Sequence, residues 1–253
     1  MGFIVLKYMF DDLYQYVPER WRSYIDIPSL NRVIAFLNKH QPGDVLPSKD
    51  HIFEAFNYVS PEDVRVVILG APSPQRELSS GIAYSIPLEY RFTDIYKRIP
   101  EPPLQKAVNR YLSSVIGRDI DESLKEAVRS GILLMNYPLT CAVRRKYAHM
   151  RCGWEAIVKR IIERLLYRDD SRLVLVAWNE ESYNLYTEIV SDWLPNIDGN
   201  QFTSPSHRGL ILLIANGPDK NRSIDDKHSK YEVISSRLVF DNEAHKGVIK
   251  KRL

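Results

Sequence analysis

The feature that most constrains the fold is a series of short apolar runs, rich in β-branched residues and leucine, separated by segments with helical periodicity. The runs occupy residues 64–69, 132–135, 173–178 and 210–215. Such runs are typical of strands that are buried on both faces of a parallel sheet. The last of them also fits a helix or an insertion, so its assignment as a strand rests on the pattern of the other three.

Segments with helical periodicity fill the intervals between these runs. They cover residues 93–99, 104–116, 154–167 and 180–194. Strands that alternate with helices predict an α/β fold with a central parallel four-stranded sheet flanked by helices on both faces. In such folds ligands bind at the carboxyl ends of the strands. The polar residues that follow Leu69, Met135 and Ala177 are therefore the place to search for a site.

The region before residue 47 reads as a helical N-terminal extension of a domain that covers residues 47–253. Residues 29–38 place their apolar side chains on one helical face, and Ser29 is expected to cap this helix. Residues 48–57 predict a second, short helix. Prolines at positions 18, 28 and 42 interrupt the extension between these segments.

Composition excludes several classes of protein. With 44% hydrophobic and 26% charged residues, the chain is neither disordered nor collagen-like. It has no apolar run near the roughly 18 residues of a membrane span, and its start lacks a signal-peptide cleavage pattern. Cys141 and Cys152 form no C-x-x-C pair, and no His/Asp group has metal-ligand spacing. We therefore expect a soluble, intracellular protein without metal or cofactor, whose net charge of +3 permits a nucleic-acid partner.

Several segments stand in the order of the motifs of a known enzyme family. Residues 70–75 read G-A-P-S-P-Q, residues 81–86 read G-I-A-Y-S-I, and residues 131–140 read G-I-L-L-M-N-Y-P-L-T. The family has G-Q-D-P-Y-H, G-L-x-F-S-V and G-V-L-L-L-N-x-x-L-T at these places. Residues 149–155, 173–178 and 204–208 match its S-H-x-x-x-G-W-E, V-F-x-L-W and H-P-S-P-L segments. Over residues 47–208 the chain thus resembles the family 1 uracil-DNA glycosylases.

The resemblance implies a base pocket whose framework is kept. Asn136 stands at the position of the amide that reads N3–H and O4 of uracil. Tyr84 replaces the phenylalanine on which the base stacks, and its added hydroxyl needs a partner and narrows the pocket. The loop glutamine that contacts uracil falls on Ala71, and the remaining pocket positions fall on Pro72 and Ser204.

The resemblance also implies that both catalytic positions are substituted. The acid that orients water and stabilises the sugar cation falls on Pro72, which has no charge and no proton. The histidine that hydrogen-bonds uracil O2 falls on Ser204, a weaker and neutral donor. Each loss costs roughly 10²- to 10⁴-fold in rate. Glu77 and Glu180 are nearby acids, but their spacing does not support a replacement, so no catalytic residue is assigned.

Seven residues are expected to bind DNA. A basic segment with an interleaved aromatic lies where the family holds DNA, and a solvated surface loop is the alternative interpretation. Ser206 keeps a serine that grips the phosphate backbone, and Arg208 replaces the leucine that enters the duplex. The predicted DNA-binding residues are Arg144, Arg145, Lys146, His149, Arg151, Ser206 and Arg208.

The sequence thus predicts a divergent uracil-DNA glycosylase-like protein without catalytic activity. It would act as a DNA-binding or protein-binding module in DNA replication or repair, with DNA as its partner and a protein of such an assembly as a second candidate. Two alternatives stay open. One is an active glycosylase with altered catalytic residues, and the other is a structural subunit of a larger assembly that does not touch DNA.

Overall fold

A computed structural model describes residues 9–40, 42–87, 103–168, 173–177, 179–193, 211–214 and 232–233 of the chain. The helix predicted at residues 93–99 lies outside these ranges. The described helices are α1 (Ile27–Leu37), α2 (Pro103–Ile116), α3 (Lys125–Arg129), α4 (Trp154–Leu166) and α5 (Glu180–Trp193). The strands are β1 (Val45–Leu46), β2 (Val66–Gly70), β3 (Ile132–Asn136), β4 (Cys141–Ala142), β5 (Val174–Ala177), β6 (Ile211–Ile214) and β7 (Glu232–Val233).

The central sheet has the strand order β3-β2-β5-β6-β7. The first four of these strands are parallel, and β7 pairs antiparallel with β6. The predicted α/β class is confirmed, and the fourth apolar run is a strand. Within the described residues the sheet has five strands instead of the four expected, because the two residues of β7 are too few to produce a sequence pattern.

A small antiparallel ribbon lies beside this sheet. In it β1 pairs with β4, with Val45 opposite Ala142 and Leu46 opposite Cys141. The chain turns back directly after β4, since Ala142 and Arg145 form an antiparallel bridge. Residues 141–147 are called the basic hairpin from here on, because they include Arg144, Arg145 and Lys146.

Two local predictions for the N-terminal region need correction. Helix α1 is capped by Asp26, whose carboxylate accepts a hydrogen bond from the Ser29 backbone N–H at 2.9 Å, so Ser29 lies inside the first turn. Pro28 fits this first turn because its missing N–H would have had no helical partner there. The helix expected at residues 48–57 is instead a pair of 3₁₀ turns, Lys49–His51 and Glu54–Asn57.

One hydrophobic core joins the N-terminal region to the sheet. Phe10, Leu13 and Trp21 are almost completely buried and belong to the same cluster of apolar side chains as β2 and β3. The Trp21 indole N–H donates to the carbonyl of Val59 at 2.9 Å, which satisfies its polar atom inside this core. The predicted boundary between the N-terminal extension and the domain that begins at residue 47 stays a prediction, because one core spans both parts. Among the described helices, none is long and apolar enough to cross a membrane.

Candidate functional site

The carboxyl ends of the parallel strands β2, β3 and β5 lie side by side, and this end of the sheet is called the Asn136 edge below. Gly70 at the end of β2 is the register partner of Asn136 at the end of β3, and Leu69 is the partner of Ala177 in β5. The Tyr137 backbone N–H donates to the Gly70 carbonyl at 2.8 Å and holds the ends of β2 and β3 side by side. This edge is where ligands bind in parallel α/β sheets. Asn136 and residues 71–78, called the Gly70 loop below, meet here.

Asn136 carries a buried side-chain amide with an unused acceptor. The residue is 4% exposed, and within the described residues its Oδ1 atom is buried without a hydrogen-bond partner. A buried acceptor without a partner costs about 1 to 3 kcal/mol. Natural structures keep few such atoms, so an N–H donor that reached Asn136 would gain a bond at a site already desolvated. The amide is therefore suited to binding a ligand that carries an N–H group.

Tyr84 packs its ring onto the end of β2. A Cβ atom added to Gly70 would lie 2.7 Å from Tyr84 Cε2, so only glycine leaves room for the ring at this point. The Tyr84 backbone has a φ of 64°, which is rare for a residue with a side chain. Burial raises the pKa of the Tyr84 phenol, and a hydrogen bond from Asn179 opposes this shift. The added hydroxyl thus has a partner inside the protein.

Asn179 is a site residue that was not singled out from the sequence. Its Oδ1 atom accepts hydrogen bonds from the backbone N–H and the hydroxyl of Ser182, both at 2.8 Å, at the start of α5. An Asn directly before a helix pattern is a capping signal, and this signal predicts the contact with Ser182. The contact with Tyr84 joins residues that are 95 positions apart, so no local sequence pattern predicts it.

The Gly70 loop has neutral residues at the positions where the family motif has its acid, tyrosine and histidine. Pro72 is buried, Ala71 and Pro74 are half-buried, and Gln75 is exposed. Glu180, one of the two acids considered as a replacement, is exposed in the first turn of α5. Ser204 lies outside the described residues, as do Ser206 and Arg208.

The basic hairpin is fastened to the Gly70 loop. The Cys141 thiol donates to the Ser73 carbonyl at 3.2 Å, and the Arg144 backbone N–H donates to the Pro74 carbonyl at 3.0 Å. Tyr147 lies at the end of the hairpin and donates its hydroxyl to Glu181 at 3.1 Å, which ties the hairpin to α5. The hairpin is therefore held next to the edge that carries Asn136.

Four of the predicted DNA-binding side chains are exposed around this hairpin: Arg144, Arg145, Lys146 and Arg151. His149 is not among them, because its side chain is fully buried. The prediction of a direct DNA contact is corrected for this residue. The alternation of charged and apolar residues around position 149 resembles a surface loop and gives no sign that the imidazole turns inward.

His149 belongs to a buried chain of polar groups. The Trp154 indole N–H donates to the Thr140 hydroxyl oxygen at 2.7 Å, and the same oxygen lies 2.9 Å from His149 Nδ1. Because the indole can only donate, the Thr140 oxygen accepts from it, and the Thr140 hydroxyl hydrogen is free to be donated to Nδ1. Within the described residues Nε2 is buried without a partner. Burial, with His40 and Arg145 nearby, lowers the pKa of His149 to about 4.

This buried imidazole predicts a loss of stability in mild acid. In the unfolded chain the pKa of His149 returns to about 6.5, so between pH 6.5 and 4 the unfolded state binds a proton that the folded state does not. The free energy of unfolding should therefore fall by about 3 kcal/mol across this window and lose no more to this residue below it.

The contribution of His149 is isolated by comparing urea unfolding of the protein and its His149→Gln variant at several pH values. Glutamine keeps a polar group beside Thr140 but does not titrate, so the difference in unfolding free energy should shrink as the pH falls from 6.5 to 4. Parallel pH profiles would show that the pKa of His149 is the same in the folded and the unfolded protein, which contradicts the prediction.

Metal chemistry and thiol chemistry find no support in the part of the chain that the structure describes. No group of three or more His, Cys, Asp or Glu side chains there could hold a metal ion. Burial raises the pKa of both thiols, Cys141 and Cys152, to about 12, so neither supplies a thiolate nucleophile near neutral pH.

A cavity of about 350 Å³ borders the Gly70 loop at Arg76. Its walls come from β1, the 3₁₀ turns at Lys49–His51 and Glu54–Asn57, and the segment that follows the Gly70 loop. Of the predicted base-pocket residues that the structure describes, none lines it. Ser80 and Ser85 in its wall contact each other, and Lys125 lies 3.4 Å from Glu54, so these polar groups already have partners.

Comparison with known sequences finds several uracil-DNA glycosylases, although no family model matches the chain. A uracil-DNA glycosylase of Bordetella petrii is 27% identical over 211 residues, which is 80% of this chain and 73% of that protein. One from Psittacid herpesvirus 1 is 26% identical over 70% of this chain and 49% of its own length. One from Exiguobacterium sibiricum is 29% identical over 54% of this chain and 60% of its own length.

Comparison with solved structures identifies the same fold. A variant of mimivirus UNG in complex with UGI aligns with a TM-score of 0.60, at 18% identity, over 94% of this chain and 85% of that one. The crystal structure of mimivirus uracil-DNA glycosylase aligns with a TM-score of 0.54, at 17% identity, over 98% of this chain and 90% of that one. At these identities the structural match concerns the fold alone.

Proposed function

This chain is a homologue of the uracil-DNA glycosylases in sequence and in fold, and we propose that it binds DNA without cleaving the glycosidic bond. The observation that carries the proposal is Pro72. It occupies the position of the family's catalytic acid, it is buried, and a proline ring can neither orient water nor stabilise a sugar cation. The chain thus keeps the fold but lacks the acidic group that takes part in the reaction.

The neighbouring positions support the loss of turnover. Ala71, Pro74 and Gln75 replace three further polar groups of the same loop, and Ser204 stands where the family has its second catalytic group. Among the described residues of the Asn136 edge, the acidic side chain of Glu181 is engaged by the Tyr147 hydroxyl at 3.1 Å. Electrostatic stabilisation needs a charge or dipole aimed at the reacting atoms, and these substitutions remove both placed groups.

Binding of DNA is supported by the basic hairpin. Its three cationic side chains are exposed, and the Gly70 loop and α5 hold its backbone in place. Lys146 Nζ lies 5.5 Å from the centre of the Tyr147 ring, so the aromatic face is already turned toward a cation. Cations on a rigid support bind phosphates at a lower entropic cost than cations on a free loop.

One observation favours the active alternative. Asn136 keeps the amide that reads uracil in the family, and its Oδ1 atom is unoccupied within the described residues. An enzyme with a displaced acid would also keep this group. Pro72 argues against turnover, whereas Asn136 argues that the chain still recognises a base. We place the proposed binding in DNA replication or repair, because the relatives are named for uracil in DNA.

The DNA-binding part of the proposal is tested by removing two charges from the basic hairpin. The Arg144→Gln, Arg145→Gln double variant should bind DNA at least about tenfold more weakly at moderate salt. The slope of log affinity against log salt should shrink by roughly 1.4 to 1.8, since each lost phosphate contact changes it by about 0.7 for single strands and 0.9 for duplex. Fluorescence anisotropy with labelled oligonucleotides over a salt series measures both quantities.

A matched control loses the same charge elsewhere. Arg118 and Arg129 are exposed. Arg129 ends α3 shortly before β3 begins, and Arg118 lies 3.7 Å from Glu126 in α3, so both lie near the amino end of β3. The Arg118→Gln, Arg129→Gln variant should bind DNA nearly as the unaltered protein does. If the unaltered protein shows no salt-dependent DNA binding, or if both variants lose affinity equally, the proposal fails and a structural subunit without DNA contact becomes the better account.

A further inference from the structure

We propose that Tyr84 and Asn179 form a latch across the ends of β3, β2 and β5, and that this latch decides whether Asn136 can meet a ligand. The latch consists of the Tyr84 ring, the hydrogen bond between its hydroxyl and the Asn179 side chain, and the contacts that fix Asn179. The inference rests on the proposed function in that Asn136 is taken as a group that still recognises a base.

The ring lies on the face of the sheet toward which the Asn136 side chain projects. Register partners in neighbouring parallel strands direct their side chains to the same face of a sheet. Gly70 and Asn136 are such partners, and the Tyr84 Cε2 and Cζ atoms lie 2.7 and 3.0 Å from the point where a Gly70 side chain would begin. The ring therefore occupies the face onto which Asn136 projects, and the Oδ1 atom of Asn136 is buried there.

The far end of the ring is fixed by α5. Because Asn179 Oδ1 is already taken by the backbone N–H and the hydroxyl of Ser182, its amide N–H group is the one that donates to Tyr84. The Ser182 hydroxyl also lies 3.2 Å from the carbonyl of Leu69, one residue before the end of β2. The latch is thus anchored to the strand end that it covers.

The Tyr84 backbone has a conformation that is unfavourable for a residue with a side chain. A φ of 64° places a side-chain-bearing residue in the left-handed region, where the backbone crowds Cβ. Such a conformation persists only where surrounding contacts fix it, and strained residues cluster at sites that switch or clamp. The hydrogen bond to Asn179 is one of these contacts. Removing it should let the segment relax and uncover the amide.

Replacing Tyr84 by phenylalanine tests the latch, because it removes the hydroxyl and keeps the ring. Tyr186→Phe is the matched control. Tyr186 is a fully buried tyrosine on α5 whose hydroxyl donates to the Val67 carbonyl at 3.2 Å, within β2 and away from its end. The probes are free uracil and 3-methyluracil, which differ in the N3–H that Asn136 Oδ1 can accept. Binding is measured by NMR titration of each protein.

The Tyr84→Phe variant should bind uracil at least tenfold more tightly than the unaltered protein and should discriminate against 3-methyluracil. The Tyr186→Phe variant should behave as the unaltered protein. Asn179→Ser provides a second route, since serine keeps a capping oxygen for Ser182 but is too short to hold Tyr84. Equal uracil binding by the unaltered protein and by both latch variants, each shown to be folded by circular dichroism, would overturn the latch.

DNA binding on the same samples separates this inference from the proposed function. The basic hairpin keeps its charges in all three variants, so the slope of log DNA affinity against log salt should stay that of the unaltered protein. Failure of the latch with DNA binding intact would leave the proposed function standing. Absence of DNA binding in every sample, with uracil bound only by the latch variants, would reject the proposed function and keep the latch.

Discussion

Replacing Gly81 by alanine is expected to cost at least about 4 kcal/mol of unfolding free energy, and so to leave much of the protein unfolded. The added Cβ atom would lie 1.8 Å from the His51 carbonyl oxygen and 2.9 Å from Glu54 Cβ. The His51 carbonyl oxygen belongs to the backbone, so it cannot move away as the end of a flexible side chain could. Gly81 also has a φ of 81°, a conformation that side chains rarely adopt.

Gly117 provides the matched control for this substitution. Its φ is 83°, nearly that of Gly81, but a Cβ atom there would meet nothing within 4 Å. Gly117→Ala should therefore cost only the backbone penalty of about 1 to 2 kcal/mol. Urea unfolding followed by circular dichroism gives both values from midpoints and slopes. If Gly81→Ala loses no more stability than Gly117→Ala, the close approach of the two segments does not exist.

The result at Gly81 bears on the site as well as on stability. Contact between Gly81 and the turn that contains His51 holds the segment that leads into Tyr84. The Ala83 backbone N–H then donates to the Leu134 carbonyl in β3 at 3.2 Å, which directs the chain along the sheet. A glycine in this segment is therefore a condition for placing the Tyr84 ring at the strand ends.

The long elements of the fold could be predicted from the sequence because their apolar pattern is strong. Strands β2, β3 and β5 and helices α2, α4 and α5 all lie within two residues of the predicted bounds. The two-residue strands β1, β4 and β7 could not be predicted, because a pair of residues has no periodicity. These short strands form by tertiary pairing, which a local pattern does not record.

The site was partly predictable for the same reason. Asn136 follows a buried strand, and the rule that ligands bind at carboxyl strand ends places it at the edge with Gly70. Tyr84 and Asn179 are far apart in the chain, so their contact depends on how α5 packs and not on either segment alone. His149 was predicted to bind DNA because it lies in the basic segment at residues 143–151, whereas its ring completes a buried polar chain with Thr140.

The second large effect concerns catalysis. Relative to an enzyme that keeps both groups, loss of the acid at Pro72 and of the histidine at Ser204 should lower the rate of uracil release by roughly 10⁴- to 10⁸-fold. The effects of residues that act together are not strictly additive, so the lower end of this range is the relevant expectation. A typical turnover number of about 10 s⁻¹ would then fall to roughly 10⁻³ s⁻¹, so an assay of about ten minutes with the protein at catalytic concentration would show less than one turnover.

The retained pocket groups do not compensate for this loss. In the proposed function Asn136 contacts a base and Tyr84 offers an aromatic face, but both act on binding and neither carries charge to the sugar. Restoring one group leaves the other loss in place. Pro72→Asp alone should therefore remain roughly 10²- to 10⁴-fold slower than an enzyme that keeps both groups.

The measurement that tests the central claim most directly is uracil release from single-stranded DNA that contains uracil, followed by counting abasic sites. The unaltered protein should produce no more abasic sites than a heat-inactivated sample. The Asn136→Ala variant should give the same background. Release above background by the unaltered protein, abolished in the Asn136→Ala variant, would contradict the account and show that the chain is an active glycosylase with its catalytic groups in new positions.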